Sequence, residues 1–210
     1  EEIGESLDMI IAAAIGIARK AVNSFQSEGN PRFVAFDIGP CGKLLEPLGD
    51  LSFDDCYDAF AKIAKTAEKC GADLVIIETM SDTLEAKAAV LAVKENTSLP
   101  IFCTMTFDES YKTLTGGDVK VMSAIMEGLG VDCVGINCGL GPAQIGEMMT
   151  DLAEISSIPI MHSQTQVCRK SKTAKQFTMY YRNNLQTNVN IWQSLVRLFS
   201  AVVAVQRPTI

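Results

Sequence analysis

Five short, continuous apolar runs, each separated from the next by a stretch patterned as a helix, constrain this chain more than any other feature. They are Phe33–Ile38, Leu74–Ile77, Ile101–Phe107, Cys133–Ile136 and the run that begins at Ile158–Met161. A strand that is apolar on both faces must be covered on both. The economical solution is a parallel sheet whose crossover connections are helices. The intervening segments supply those helices. Leu7, Ile10, Ile11, Ala14, Ile15, Ile17 and Ala18 recur at helical spacing from residue 4 to about 25, and the turn-forming run EGNPR ends that segment. Ser52 opens a second helix through a variant capping box, and this helix runs to about Cys70 with Gly71 as its stop. Helices are also expected from Ser81 to about Glu95, over Asp118–Glu127 and over Ala143–Ile155.

A doubly wound sheet and a (β/α)8 barrel both fit this alternation. The barrel is favoured because polar residues gather where the strands end: Glu78, Thr104 and Thr106, then Asn137 and Cys138. That end of the strands is the face on which barrel enzymes build their sites. A complete barrel takes eight strands and about 250 residues. The expected architecture is therefore α/β, a partial (β/α)8 barrel with about five of its eight parallel strands.

Composition narrows the class further. With 48% hydrophobic and 20% charged residues in 210, the chain can bury a sizeable core. Its long apolar stretch IIAAAIGIA falls short of the ~20 residues a bilayer span needs, and no signal peptide is visible, so no membrane partner is expected. The first residue is Glu, so the chain is expected to begin inside a longer reading frame. All 25 acidic residues and 11 of the 18 basic ones precede His162, whereas the last 49 residues hold three Lys, four Arg and no Asp or Glu. A body this acidic does not grip a nucleic-acid backbone. The seven cysteines are scattered, with no CxxC pair, which fits a reducing, cytoplasmic setting. Cys41, Cys56, Cys70, Cys103 and Cys133 are read as small packing residues. The glycines of GLGP either cradle a phosphate at a helix N-terminus or make a turn beside the site, and Trp192 has no assignable role.

The runs FDIGPCGKLLEPLGDLSFDDCYDAF (36–60), GADLVIIETMSDTLEAKAA (71–89), IFCTMTFDE (101–109), TLTGGD (113–118) and GINCGLGP (135–142) stand in this order along residues 32–161. In them the sequence resembles the homocysteine-binding (S-methyltransferase) domain of cobalamin-dependent methionine synthases. The resemblance implies a (β/α)8 barrel whose third to sixth strands, and the start of the seventh, are present. It implies transfer of a methyl group from methylcobalamin, carried on a separate domain, to zinc-activated homocysteine. Cys138 corresponds to the first of three zinc-binding cysteines. Glu78 corresponds to the carboxylate beside the substrate's amino group, and Asn137, the neighbour of Cys138 in GINC, joins it as a substrate-binding residue. Cobalamin and folate domains of a full-length chain are the implied partners. A homocysteine methyltransferase using another methyl donor, or a non-catalytic barrel remnant, is the alternative.

The family's other motifs, GGCC and PNAGLP, are missing, and the acid-free tail stands in their place. Read one base out of frame, the codons of Ser163–Arg169 can spell Pro-Asn-Ala-Gly-Leu-Pro, and those of Ser200–Ile210 can spell Gly-Gly-Cys-Cys-Gly-Thr-Thr-Pro-Asp-His. Residues 1–161 are therefore expected to be a partial homocysteine S-methyltransferase barrel and residues 162–210 a frameshifted tail without a native fold, in which 189–205 is apolar enough for a chance helix. The family's first two strands, with their DGAMGT-like and NTFG-like motifs, are expected to precede residue 1. With one of three zinc ligands left and only His162 and Cys168 as nearby substitutes, the chain is expected neither to bind zinc tightly nor to methylate homocysteine.

Overall fold

The computed structural model describes residues 2–25, 31–164, 176–180 and 202–206. Strands and helices alternate from the first strand to the fifth, in the order α1 (Glu2–Phe25), β1 (Val34–Ile38), α2 (Phe53–Lys69), β2 (Leu74–Met80), α3 (Thr83–Asn96), β3 (Ile101–Met105), α4 (Val119–Leu129), β4 (Cys133–Asn137), α5 (Pro142–Ile155) and β5 (Ile160–Gln164). Two further strands follow, β6 (Gln176–Tyr180) and β7 (Val202–Gln206). They form a single sheet in the order β6-β5-β4-β3-β2-β1-β7.

β1 to β5 pair in parallel with their neighbours, as the apolar runs require. The helix starts follow local chemistry. Ser52 caps α2 by accepting from the Asp55 N–H, Asp82 caps α3 through Leu84, and Asp118 caps α4 through Lys120 and Val121. A second device repeats at the strand starts. Asp73 accepts from the Val34 N–H at 2.6 Å, and Asp132 accepts from the Ile101 N–H at 2.8 Å. In each case a carboxylate just ahead of one strand satisfies the first amide of the strand beside it, which pins the parallel register where the ladder begins.

The core divides by sheet face. Val34, Phe36, Ile38, Val75, Ile77, Cys103 and Ile136 pack with the helices, together with Phe60, Ile63, Val90 and Val93 from α2 and α3. The alternate residues Ala35, Leu74, Ile76, Phe102, Cys133 and Met161 form a separate cluster on the other face. Gly135 lies in that layer because a Cβ there would come 2.1 Å from the Met161 carbonyl oxygen.

Among the described residues the sheet does not close. β6 runs antiparallel to β5 and β7 runs parallel to β1, so these two strands end the sheet. The expected chance helix over 189–205 overlaps β7 at its last four residues; 189–201 fall outside the described residues.

Candidate functional site at the strand ends

On the face opposite the helices, one step beyond the apolar cluster, the strands present a buried polar layer. Asp37 follows Ala35 by two, Glu78 follows Ile76, Thr104 follows Phe102 and Asn137 follows Gly135, so strand alternation carries all four to one face. Their exposures are 1%, 6%, 0% and 1%. The Thr104 hydroxyl has no hydrogen-bond partner among the described residues. A buried hydroxyl of this kind costs stability unless something polar reaches it.

The backbone is distorted at the same place. The β2–β3 register shifts between Ile77 and Met80, so Glu78 and Thr79 sit at a bulge, a feature that re-aims side chains at strand ends. Thr79 has φ +63°, an uncommon, strained conformation for a β-branched residue. It is held there by Asn137. The Thr79 N–H donates to Asn137 Oδ1 at 3.1 Å, and Asn137 Nδ2 donates to Thr79 Oγ1 at 2.6 Å. The same Nδ2 lies 3.5 Å from Cys138 Sγ. Cys138 itself has φ +56°. Gly139 follows at φ +75°, where a Cβ would come 2.4 Å from the Phe107 carbonyl oxygen, so no other residue fits the turn unstrained. The structure thus brings Glu78, Asn137 and Cys138 to one end of the sheet and ties two of them together through Thr79. The amide of Asn137 is engaged by Thr79 and Cys138, contacts that tie the loop after β4 to the bulge of β2.

Zinc, which the resemblance implies at Cys138, finds a single thiol there. Among the described residues Cys138 belongs to no group of three donors within metal-binding reach. His162 lies on the helix side of β5, its Nδ1 3.2 Å from the Ile136 carbonyl oxygen, in a groove of about 520 Å³ shared with Pro142, Ile145 and Met149. Cys168 falls outside the described residues. Among the described residues the donor set at this position is Cys138 alone, short of the three protein ligands that a catalytic zinc site takes.

A different group of donors was not anticipated from the sequence. The sulfurs of Cys41 and Cys56 and a carboxylate oxygen of Glu85 all lie within 4.8 Å of one another. The Cys56 hydrogen bond draws the Cys41 thiol down to about 5, while the same bond and burial push Cys56 well up. Burial raises the Glu85 carboxyl to about 8. Cys103 and Cys133 behave as packing thiols, the first pushed to about 12 and the second well up by burial.

A parallel α/β sheet of barrel type, with polar groups collected at the C-terminal strand ends, defines the barrel-enzyme class. The chain belongs to the homocysteine S-methyltransferase family, whose sequence profile matches residues 1–196. It is 32% identical over 149 residues, 69% of its length, to a methionine synthase of Mycobacterium leprae, and 29% identical over 164 residues, 76% of its length, to that of Mycobacterium tuberculosis. The matched region spans 12% and 14% of those two relatives. The apo form of the homocysteine methyltransferase MmuM from Escherichia coli superposes with a TM-score of 0.68 at 19% identity, covering 78% of this chain and 62% of that one. Its metallated form gives 0.66 at 18% identity, covering 76% and 58%. The fold expected from the apolar runs is the fold these structures share.

Proposed function

We propose that residues 1–161 are part of a homocysteine-binding barrel from a methionine synthase, and that this chain as written does not complete the methyl transfer. The observation that carries the reading is the convergence of Glu78, Thr104, Asn137 and Cys138 at the C-terminal ends of β2, β3 and β4. Glu78 receives the substrate's ammonium, since a buried carboxylate on a polar layer is a fitting partner for a cation. The unpartnered hydroxyl of Thr104 offers a further polar contact. Asn137 holds the loop that presents Cys138 toward the substrate sulfur.

In the parent enzyme zinc supplies one thing, the thiolate form of homocysteine. Without it the substrate thiol keeps a pKa near 8.5 and is mostly protonated at neutral pH. The missing ligands are those that a displaced reading frame of Ser200–Ile210 can spell, which supports the frameshift as their cause. The methyl donor is methylcobalamin, delivered by a separate domain. The methionine synthase relatives support that choice over another donor. Cobalamin and folate domains would be the partners in a full-length chain. Among the described residues no helix is long and apolar enough to cross a membrane, and no disulfide joins the six described cysteines. The cytoplasmic setting is proposed on the scattered cysteines of the sequence, which form no CxxC pair.

The test compares this 210-residue chain with one whose frame is restored by a single base after codon 161 and which is extended at both ends to the complete barrel. Methyl transfer from methylcobalamin to homocysteine is expected to be absent in the first and to appear with the second. Homocysteine binding to the restored chain is expected to weaken by about tenfold or more in Glu78→Gln, the loss of one charge-assisted contact. Turnover by the unaltered chain, or binding indifferent to Glu78→Gln, would overturn the reading. So would a gene whose displaced frame fails to encode Gly-Gly-Cys-Cys.

A further inference from the structure

On the helix side of the sheet, at its C-terminal end, sits a cluster that the homocysteine reading leaves unused. Cys41 lies in the loop that leaves β1 after Gly39-Pro40, Cys56 is the fourth residue of α2, and Glu85 is the third of α3. Because β1 and β2 run in parallel, the loop after one and the helix after the other open at the same end. Packing of α2 on α3 then closes the distance. Cys56 is fully buried and Glu85 is 3% exposed, while Cys41 is partly open to solvent.

Three features distinguish this cluster from a chance meeting of core residues. All three donor atoms fall within 4.8 Å, close enough to surround one ion. The Cys41 N–H donates to Glu85 Oε1 at 2.7 Å, an outer hydrogen bond of the sort that orients a ligating carboxylate. Glu85 also takes part in neither ion pair found among the described residues, Arg19–Asp73 and Lys112–Asp118. A carboxylate that buried is costly when ionised unless a cation meets it.

We infer that Cys41, Cys56 and Glu85 form a binding site for one thiophilic divalent cation of the zinc class, separate from Cys138, with the fourth position open on the Cys41 side. Two sulfurs and one oxygen match zinc's preference for tetrahedral coordination by three protein ligands and a water. Hard cations such as Mg²⁺ and Ca²⁺ prefer all-oxygen sites. Binding forms two metal–sulfur bonds and one metal–oxygen bond. The protons held by the thiols, and by Glu85 where it is protonated, leave to solvent, and nothing is oxidised or reduced. The inference goes beyond the homocysteine reading and does not rest on it. It departs from the expectation, drawn from the family's own ligands, that this chain holds no zinc.

The test uses the whole 210-residue chain, reduced and stripped of metal, then titrated with Zn²⁺ and in parallel with Co²⁺, whose thiolate charge-transfer and tetrahedral ligand-field bands report the donors. One equivalent is expected to bind, with those bands, and to protect Cys41 from alkylation. Cys41→Ser and Glu85→Gln are expected to weaken affinity by about tenfold or more, and Cys138→Ala to leave it within about twofold. Cys56→Ser alters a core position, so the partly exposed Cys41 carries the argument, with far-UV circular dichroism confirming each fold. Absence of thiolate bands would overturn the inference. So would affinity unchanged in Cys41→Ser, or affinity lost in Cys138→Ala.

Discussion

At the scale of single residues, Asn137 does more for the site than its sequence neighbourhood suggests. In the sequence it is a polar residue at a strand end, ranked beside Glu78 as a substrate contact. In the structure its amide bonds both the backbone and the hydroxyl of Thr79 and reaches Cys138. Replacing it with Ala removes these bonds and leaves the half-buried Thr79 amide without its partner. Asn137→Ala is expected to lower stability by about 1–3 kcal/mol, read from the midpoint of urea unfolding at constant m. The positions of Glu78 and Cys138 at the strand ends were legible because each ends or follows an apolar strand inside a long motif. Cys41, Cys56 and Glu85 were not. They come from a loop and two helices, and no linear spacing links them. The available clue was positional: Cys56 and Glu85 both fall in the first turns of helices that follow parallel strands, and such turns share one end of the sheet.

At the scale of elements, the starts of α2 and α4 were the most readable part of the chain because each is written in one capping side chain, Ser52 and Asp118. Asp118 is an instance with a pH signature. Its carboxylate accepts from the Val121 and Lys120 amides and pairs with Lys112 at 3.0 Å, and these bonds hold it below the usual aspartate range. A carboxyl depressed in the folded state contributes stability above its unfolded pKa of about 3.9 and loses it as pH falls through the lower folded value. Asp118→Ala is therefore expected to cost about 1 kcal/mol at neutral pH. The gap between variant and parent should close progressively below about pH 4, which urea titrations across pH would follow. The strands were legible by a different route, as continuous apolar runs, and their ends were less so. β2 extends past Ile77 to Met80 because, after the bulge at Glu78 and Thr79, pairing resumes at Met80 opposite Met105. A hydrophobic pattern carries no sign of that. Nor did it mark β6 and β7, whose sequences lie where charge and motif both changed character.

At the scale of the whole molecule, the clamp between Thr79 and Asn137 spans a strand. β2 and β4 are not neighbours; β3 runs between them, and its exit is itself tied to β2 by the Thr106 N–H donating to the Met80 carbonyl. The clamp acts as a bracket over the C-terminal end of β3, so β3 cannot peel from the sheet until the bracket opens. Local fraying and cooperative unfolding then become one event at this position. In native-state hydrogen exchange the Thr79 and Thr106 amides are expected to exchange only through global opening, with denaturant dependence equal to that of the most protected core amides. In Asn137→Ala they should drop to a shallower, sub-global class. The polar layer built on these strands would thereby keep its spacing for as long as the protein stays folded, and a ligand arriving there would meet a surface whose ordering had been completed before it came.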